Sequence, residues 1–287
     1  MKLLLPTVGC CVAFTSAGLA QVSVELNFDQ EQFLAGESVE VGVRITNFSG
    51  QTLHLGTDND WLHFSVEGRD NYVVPMTGEV PVLGAFDVES SSVATRRVDL
   101  APCFALFKPG HYLVTVTMKL KDWDKEVTGK PKPLDIIAGT KLWEQEFGIP
   151  GPSGNPPEVR KYALQQAIHL KQLKLYVRVS DATESRVFGV FPLGPLISFS
   201  NPEHQIDKSS NLHVLYQTGA RSFNYSVVNA DGRLLVRQTY DYSDTRPGLR
   251  VDREGRIFIS GGVRRVAPDD LPLPAAASTH ESRTPKP

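Results

Sequence analysis

The stretch 36–55, GESVEVGVRITNFSGQTLHL, constrains the fold of this chain more than any other. Apolar residues alternate in it with polar or small ones, and the apolar set is Val39, Val41, Val43 and Ile45. A period of two directs alternate side chains to opposite faces of a strand, and β-branched residues suit such a pleated surface. Turn residues follow at 47–50, and the alternation then resumes. The stretch therefore predicts two strands of an antiparallel sandwich.

The same alternation recurs in the neighbouring sequence. Strand patterns occupy 22–28, 61–66, 94–100 and 113–120, and a Pro-Gly turn precedes the last of them. About seven strands in roughly 115 residues match the size and spacing of an immunoglobulin-like sandwich. We therefore expect residues 21–121 to form an antiparallel sandwich of that kind.

Several short motifs in this region also resemble those of a known group of proteins. They are FLAGESVEV at 33–41, ITNFSG at 45–50, LHL at 53–55, FSVEG at 64–68 and FKPGHY at 107–112. In this order they look like bacterial extracytoplasmic immunoglobulin-like modules, and they are similar in particular to the sandwich of the intracellular proteinase inhibitor type. The resemblance covers residues 22–120. It implies the sandwich fold and, as a function, inhibition of proteinases.

Residues 1–20 have the composition of a secretory signal. Lys2 supplies a positive charge, residues 3–14 supply an apolar stretch, and small residues precede a cleavage site before Gln21. Two alternatives stay open, a retained N-terminal membrane anchor and a lipoprotein site at Cys10. The signal predicts a secreted or periplasmic protein without a transmembrane span after cleavage.

Cysteine usage excludes a disulfide within the mature chain. The sequence has three cysteines, and Cys10 and Cys11 lie in the predicted signal, which leaves Cys103 alone. The neighbours of Cys103 are apolar, which favours a buried, inert thiol over a reactive nucleophile.

Composition changes after the sandwich. Residues 122–157 are rich in charge, proline and glycine and predict a connector. Residues 158–172 then carry apolar side chains at helical spacing, and Asn155 and Pro156 before them fit a helix N-terminus. We therefore expect a helix at 158–172.

Strand patterns return after this predicted helix and continue to residue 266. Residues 267–287 are rich in Pro, Ala, Ser and Thr, which predicts a disordered tail. The predicted fold is therefore mainly β. It consists of an immunoglobulin-like antiparallel sandwich followed by a second small antiparallel β domain at 158–266 with one covering helix.

No stretch carries a catalytic or cofactor signature. The motifs Gly-x-Ser-x-Gly, His-Glu-x-x-His and Cys-x-x-Cys and the phosphate-binding loop are absent. The acidic turn at 58–60 lacks the further oxygen ligands of a calcium loop, so a solvated turn is the preferred interpretation. A formal net charge of −2 leaves no basic surplus for nucleic acid. We predict no catalytic residue, no cofactor, no metal site and no nucleic-acid partner.

The second domain has a concentration of tyrosine and arginine, the residue types that dominate recognition surfaces. The predicted contact patch consists of Arg237, Tyr240, Tyr242 and Arg246. The alternative is a strand on which tyrosine packs across to its neighbour and arginine faces water.

These observations favour a non-catalytic secreted or periplasmic protein that binds or scaffolds through protein–protein or cell-envelope contacts. Two alternatives remain at this point. One is a proteinase inhibitor of the sandwich type, and the other is a hydrolase with its site in the second domain.

Overall fold

The structure, a computed structural model, describes residues 22–69, 72–149 and 158–271. Strands account for 58% of the chain and helices for 2%, which confirms a mainly β protein built of antiparallel sheets. Within the described ranges, no helix combines the length and apolar character that crossing a membrane requires. The predicted signal at 1–20 lies outside these ranges.

The first unit of the structure contains two sheets. Sheet I consists, in spatial order, of β1 (Val22–Phe28), β3 (Glu40–Asn47) and β7 (Ser92–Asp99). Sheet II consists, in spatial order, of β2 (Gln32–Leu34), β10 (Lys132–Ile137), β8 (Gly110–Leu120) and β5 (Leu62–Glu67), and β9 (Lys125–Thr128) also pairs with β8. A ribbon is formed by β4 (Leu53–Leu55) and β6 (Phe86–Val88). The pairs are antiparallel, except that β2 and β10 run parallel.

The core of the first unit follows the alternation of residues 36–55. Val41, Val43 and Ile45 are fully buried, as predicted for the inward set. They belong to one apolar cluster that includes Val114 and Val116 of β8 in sheet II, so sheets I and II enclose a common core. Cys103 is also buried in this cluster, which confirms the predicted burial of its thiol.

The second unit also contains two sheets. Sheet III consists, in order, of β11 (Thr140–Ile149), β12 (Glu158–His169), β13 (Gln172–Asp181) and β14 (Val187–Pro195). Sheet IV consists, in order, of β15 (Glu203–Ile206), β16 (Leu212–Gln217), β17 (Ser222–Val228), β18 (Leu234–Asp241) and β21 (Val263–Arg265). A hairpin is formed by β19 (Gly248–Val251) and β20 (Ile257–Ser260). Side chains of sheets III and IV share an apolar cluster that includes Leu164, Val177 and Val214.

The helix predicted at 158–172 is wrong, because this segment forms β12 and the turn into β13. Tyr162 and Leu164 point towards sheet IV, whereas Ala167 packs on the other face against the first unit. Both faces of the strand are buried, so apolar residues occur at odd and at even positions. Together these two sets produce the three- and four-residue spacing that resembles a helix. The predicted N-terminal residues Asn155 and Pro156 lie outside the described residues.

The structure also differs from the predicted connector at 122–157. Residues 125–137 supply β9 and β10, which complete sheet II, and residues 140–149 supply β11. Only Ala138 and Gly139 therefore link the two units. The alternation in β11 is hard to recognise because most of its side chains are exposed and many are charged.

The beginning of the predicted disordered tail lies against the second unit. The Leu271 N–H donates to the Arg237 carbonyl oxygen at 2.9 Å, and the Asp270 carboxylate pairs with Arg264 at 2.8 Å. Residues 272–287 lie outside the described residues, so the prediction of disorder concerns that part alone.

Candidate functional site

A groove of about 690 Å³ lies between the two units and is the candidate site. The first unit contributes Gly36, Ser38, Asp99, Ala101, Pro102 and Phe107 to its lining. The second unit contributes residues 185–191, which lead into and form the first half of β14. The volume falls within the range of roughly 300–1,000 Å³ that is typical of ligand sites.

The edge of β14 forms one side of this groove. A strand that presents a face shows alternate residues, whereas seven consecutive residues line the groove here, as an edge would. β14 is the last strand of sheet III, and in the described part of the chain no strand pairs with its outer edge. The groove therefore borders backbone N–H and C=O groups that have no strand partner.

The turn before β14 is held by Asp181. Its carboxylate accepts hydrogen bonds from the Ser185 and Thr183 hydroxyls and from the Arg186 N–H. These hydrogen bonds, that of Ser185 foremost, lower the pKa of Asp181 to about 2. The turn stays anchored at any ordinary pH, which fixes where the edge begins.

The opposite wall of the groove is held by Asp99. One carboxylate oxygen accepts from the Val39 and Ala101 N–H groups, and the other accepts from the Ser38 hydroxyl. Phe107 lies on this wall with 61% of its surface exposed, which is unusual for a large aromatic side chain. The wall thus combines a rigid backbone with a free aromatic ring.

Arginine side chains gather at one end of the groove. The guanidinium carbons of Arg160 and Arg186 lie 3.9 and 4.8 Å from the ring centroid of Phe188. Arg160 is neutralised by Glu158 and Asp231, whereas no carboxylate in the described residues forms an ion pair with Arg186. This end of the groove is therefore suited to an acidic group.

A second concavity of about 690 Å³ adjoins the first through Phe107, which lines both. Its other lining side chains include Arg69, Tyr72, Lys108 and His111. Tyr72 is exposed, and the His111 ring contacts the Asp135 carboxylate. The aromatic and cationic surface of the groove continues in this direction.

A partly buried hydrogen-bond network joins the two units. The His169 ring contacts the Gln32 carbonyl oxygen at 3.1 Å through Nε2, and its Nδ1 accepts from Lys174 Nζ at 3.0 Å. Burial, then the charge of Lys174, lowers the pKa of His169. Burial also raises the pKa of nearby Glu37, whose carboxylate accepts from the Leu34 N–H. The network requires a neutral His169, because Nδ1 accepts from the Lys174 ammonium and therefore has to be unprotonated while Nε2 donates to the carbonyl oxygen.

We expect acid to weaken this junction. The unfolded chain binds a proton at His169 near pH 6.5, whereas the folded chain binds it only at lower pH, so the contribution of His169 to stability is present above pH 6.5 and is lost as the pH falls below it. The thermal midpoint should therefore fall more between about pH 7.5 and 5 in the parent than in His169→Gln, whose side chain does not titrate. Equal pH profiles for the two proteins, measured by differential scanning calorimetry, would contradict this expectation.

The arrangement closest to a catalytic one lies in sheet IV. The Tyr225 hydroxyl contacts His213 Nδ1 at 2.6 Å, and His213 Nε2 contacts the Asp207 carboxylate at 3.1 Å. Although burial opposes it, hydrogen bonds from Asn211 and His213 lower the pKa of Asp207. His213 and Tyr225 are buried, and Tyr225 packs in one cluster with Leu249 of the β19–β20 hairpin. The three groups line neither groove, and they connect β15, β16 and β17.

The structure does not bring the four residues of the predicted contact patch together. Arg237 and Tyr240 lie three positions apart on β18 and therefore point to opposite faces of sheet IV. Arg237 approaches the Leu193 carbonyl oxygen at 3.5 Å and Asp269 at 3.8 Å.

The other residues of the predicted patch lie on the face of sheet IV that carries Phe223, or next to it. Tyr240 is its cross-strand partner, and the Arg246 guanidinium carbon lies 5.2 Å from its ring centroid. Tyr242 is partly exposed and pairs with Arg221, whose guanidinium carbon lies 5.4 Å from the tyrosine ring. A binding role for these residues stays a prediction.

The acidic turn at 58–60 is neutralised by lysines. Lys121 donates to Asp58 at 2.7 Å and Lys119 contacts Asp60 at 3.3 Å. Among the residues that the structure describes, no group of three or more histidines, cysteines or acids could hold a metal ion.

The sequence contains a weak signal for the groove. Residues 187–193 belong to the strand patterns that continue to residue 266, and the run VFGVF at 187–191 has no charged residue. The position of this strand at the edge of sheet III depends on which strands pair, and the sequence pattern does not show that. No known family model matches the chain. The comparison with curated proteins likewise finds no match.

Proposed function

We propose that this chain is a non-catalytic secreted or periplasmic binding protein and that it holds a partner protein in the groove between its two units. The observation that carries the proposal is the outer edge of β14, which pairs with no strand among the described residues and borders a groove of ligand size. The exposed ring of Phe107 on the opposite wall supports it, since aromatic residues are enriched at binding surfaces. The predicted signal at 1–20 supplies the proposed location.

We further propose that the first unit is an immunoglobulin-like sandwich. With β1, β3 and β7 as strands A, B and E, and β5, β8 and β10 as strands C, F and G, the strand orders of sheets I and II agree with that fold. With this assignment Phe107 lies in the loop between strands E and F. That loop is at the end of the sandwich opposite the B–C and F–G loops, which carry the binding residues of antibody variable domains.

The groove proposal predicts that Phe107→Ala loses partner binding without losing stability. The ring is mostly exposed, so we expect a change in unfolding free energy within about 0.5 kcal/mol. Loss of an aromatic interface anchor should weaken binding by about tenfold or more. The purified chain is immobilised and used to capture proteins from the envelope fraction of the organism that makes it.

Phe48→Ala serves as the matched control, because Phe48 is 64% exposed and lines neither groove. The parent and the Phe48 variant should retain the same captured protein, and the Phe107 variant should lose most of it. Capture of no protein at all, or equal capture by both variants, would rule out this groove as the binding site.

A further inference from the structure

We propose that the partner enters the groove as an extended segment and pairs its backbone with residues 187–191, adding a fifth strand to sheet III. This inference rests on the proposed function, and it assigns the ligand class and the mode of binding. Strand addition is an established mode of peptide recognition, in which main-chain hydrogen bonds provide affinity and alternate side chains provide specificity.

The first step is that, in the described part of the chain, one stretch of the sheet III edges is less protected than the rest. In β11, the other terminal strand, Lys141, Glu144 and Glu146 place charges along the edge. In the second half of β14, Pro192 and Pro195 lack an N–H group, and the Leu193 carbonyl oxygen accepts from the Tyr216 hydroxyl at 2.6 Å. Charges and prolines are the devices by which proteins prevent edge pairing.

Residues 187–191 carry no charge and no proline, and the turn at Gly232 packs against the backbone of Phe188 and Gly189. The run VFGVF is apolar, and an unguarded apolar edge invites pairing with another chain. Five residues span about 17 Å of extended backbone. This part of the edge therefore matches a short linear segment of similar length.

The second step concerns the shape of the occupant. The edge lies opposite a wall that contains Asp99, Pro102 and Phe107, so a partner strand has to enter between two units. A second folded copy would have to bring its own groove wall, with its Phe107, up to this one. A single extended segment has no such wall and fits the space.

The third step concerns the side chains of the segment. Phe107, Phe188 and Phe191 line the groove and suit apolar or aromatic residues. At the end near residue 186, the Arg186 guanidinium forms no ion pair with a described carboxylate and suits an acidic residue. We therefore infer a segment of alternating apolar residues with an acidic residue at one end.

The test uses the purified full-length chain and a phage-displayed library of random peptides of roughly ten residues, long enough to cover the edge. Selected peptides are synthesised and their dissociation constants measured. We expect Phe107→Ala to weaken binding about tenfold or more and Phe48→Ala to leave it unchanged. Hydrogen exchange at residues 187–191 should slow by about tenfold or more at saturation.

Backbone N-methylation of the peptide gives a readout specific to strand pairing. Methylation at the positions whose N–H faces β14 should weaken binding about tenfold, and methylation at the intervening positions should not. A variant of the chain that ends at Leu271 should bind the peptides within about twofold of the full chain.

Several outcomes would overturn the inference. They are the absence of enriched peptides, binding without protection of residues 187–191, and equal effects of methylation at all positions. Protection that rises with protein concentration alone would assign the edge to a second copy, and much tighter binding by the shortened chain would assign it to the chain's own tail. If Phe107 is needed for partner capture while these results are negative, the proposed function stands and strand addition falls.

Discussion

Replacing Tyr162 with alanine should lower the free energy of unfolding by about 3–5 kcal/mol, the largest loss that we expect from a single truncation in the second unit. Tyr162 has no exposed surface, and its ring stacks on Phe147 with centroids 4.4 Å apart. Its single hydroxyl proton is shared between the Ser210 and Val228 carbonyl oxygens, which lie 2.9 and 3.1 Å from the hydroxyl oxygen. The substitution therefore opens a cavity between sheets III and IV and removes this shared hydrogen bond.

Tyr162→Phe separates the two contributions. It keeps the ring and removes only the hydroxyl, so we expect a loss of about 1–2 kcal/mol from the buried carbonyl oxygens that it leaves without this donor. Both values are measured by denaturant unfolding, with the slope monitored to detect a change in mechanism. A helix at 158–172 on the surface would tolerate both substitutions, so a loss below about 1 kcal/mol for alanine would contradict the placement of β12.

Replacing Asn47 with aspartate, a nearly isosteric change, should cost about 3–5 kcal/mol at pH 7. Asn47 is fully buried, and its Nδ2 group donates to the Gln51 and Val88 carbonyl oxygens at 2.7 and 2.8 Å. An ionised carboxylate would face both oxygens without a proton to share. The other end of the Asn47 amide stabilises the turn after β3, because its Oδ1 accepts from the N–H and the hydroxyl of Ser49.

The pH dependence of this variant has a definite sign. Repulsion and burial raise the folded-state pKa of the new carboxyl above its unfolded value of about 3.9, so the folded state binds more protons over that interval. The free energy of unfolding of the variant, relative to the parent, therefore falls as the pH rises from the unfolded to the folded pKa. Lowering the pH restores part of the lost stability.

Asn27→Asp is the matched control for the Asn47 variant. The Asn27 side chain is exposed on β1, which pairs with the strand that contains Asn47, so water can solvate the new carboxylate. We expect a loss below about 1 kcal/mol for this control. Chemical unfolding at about pH 4 and 7 provides the comparison, and equal losses in the two variants would contradict the role assigned to Asn47.

The strands of the first unit were predictable because each buries one face. In residues 36–55, every second side chain enters a common core, so the sequence displays the period of the strand directly. The turns there also require specific residues, as at Gly36 and Gly50, whose φ angles of +86° and +84° favour glycine.

The elements that were predicted wrongly are those whose burial does not alternate. β12 is buried on both faces, so Tyr162, Ala163 and Leu164 are consecutive core residues. β11 has the opposite problem, because most of its residues are exposed. Neither burial pattern resembles that of a half-buried strand. In both strands, the neighbouring sheets and units determine which side chains are buried.

The groove could not be predicted for a related reason. Its two sides are residues 185–191 and a wall that includes Asp99 and Phe107, which are far apart in the sequence. Their proximity depends on the packing of Leu34 against Ala167, Tyr176 and Val190 between the units. Those residues were all recognisable as apolar, but no local pattern shows which surface each one contacts.

The parallel pairing of β2 with β10 determines when the groove becomes complete as the chain folds. Phe33 has to wait for Ile136 to be synthesised before they can pair, and contacts between such distant residues form slowly. Sheet III instead pairs consecutive strands from β11 to β14 and can assemble from local hairpins. The wall at Gly36 follows directly after β2, so the groove is complete only when this pairing has formed. A chain in which sheet III has assembled before this pairing therefore exposes the edge of β14 without the wall that restricts access to it.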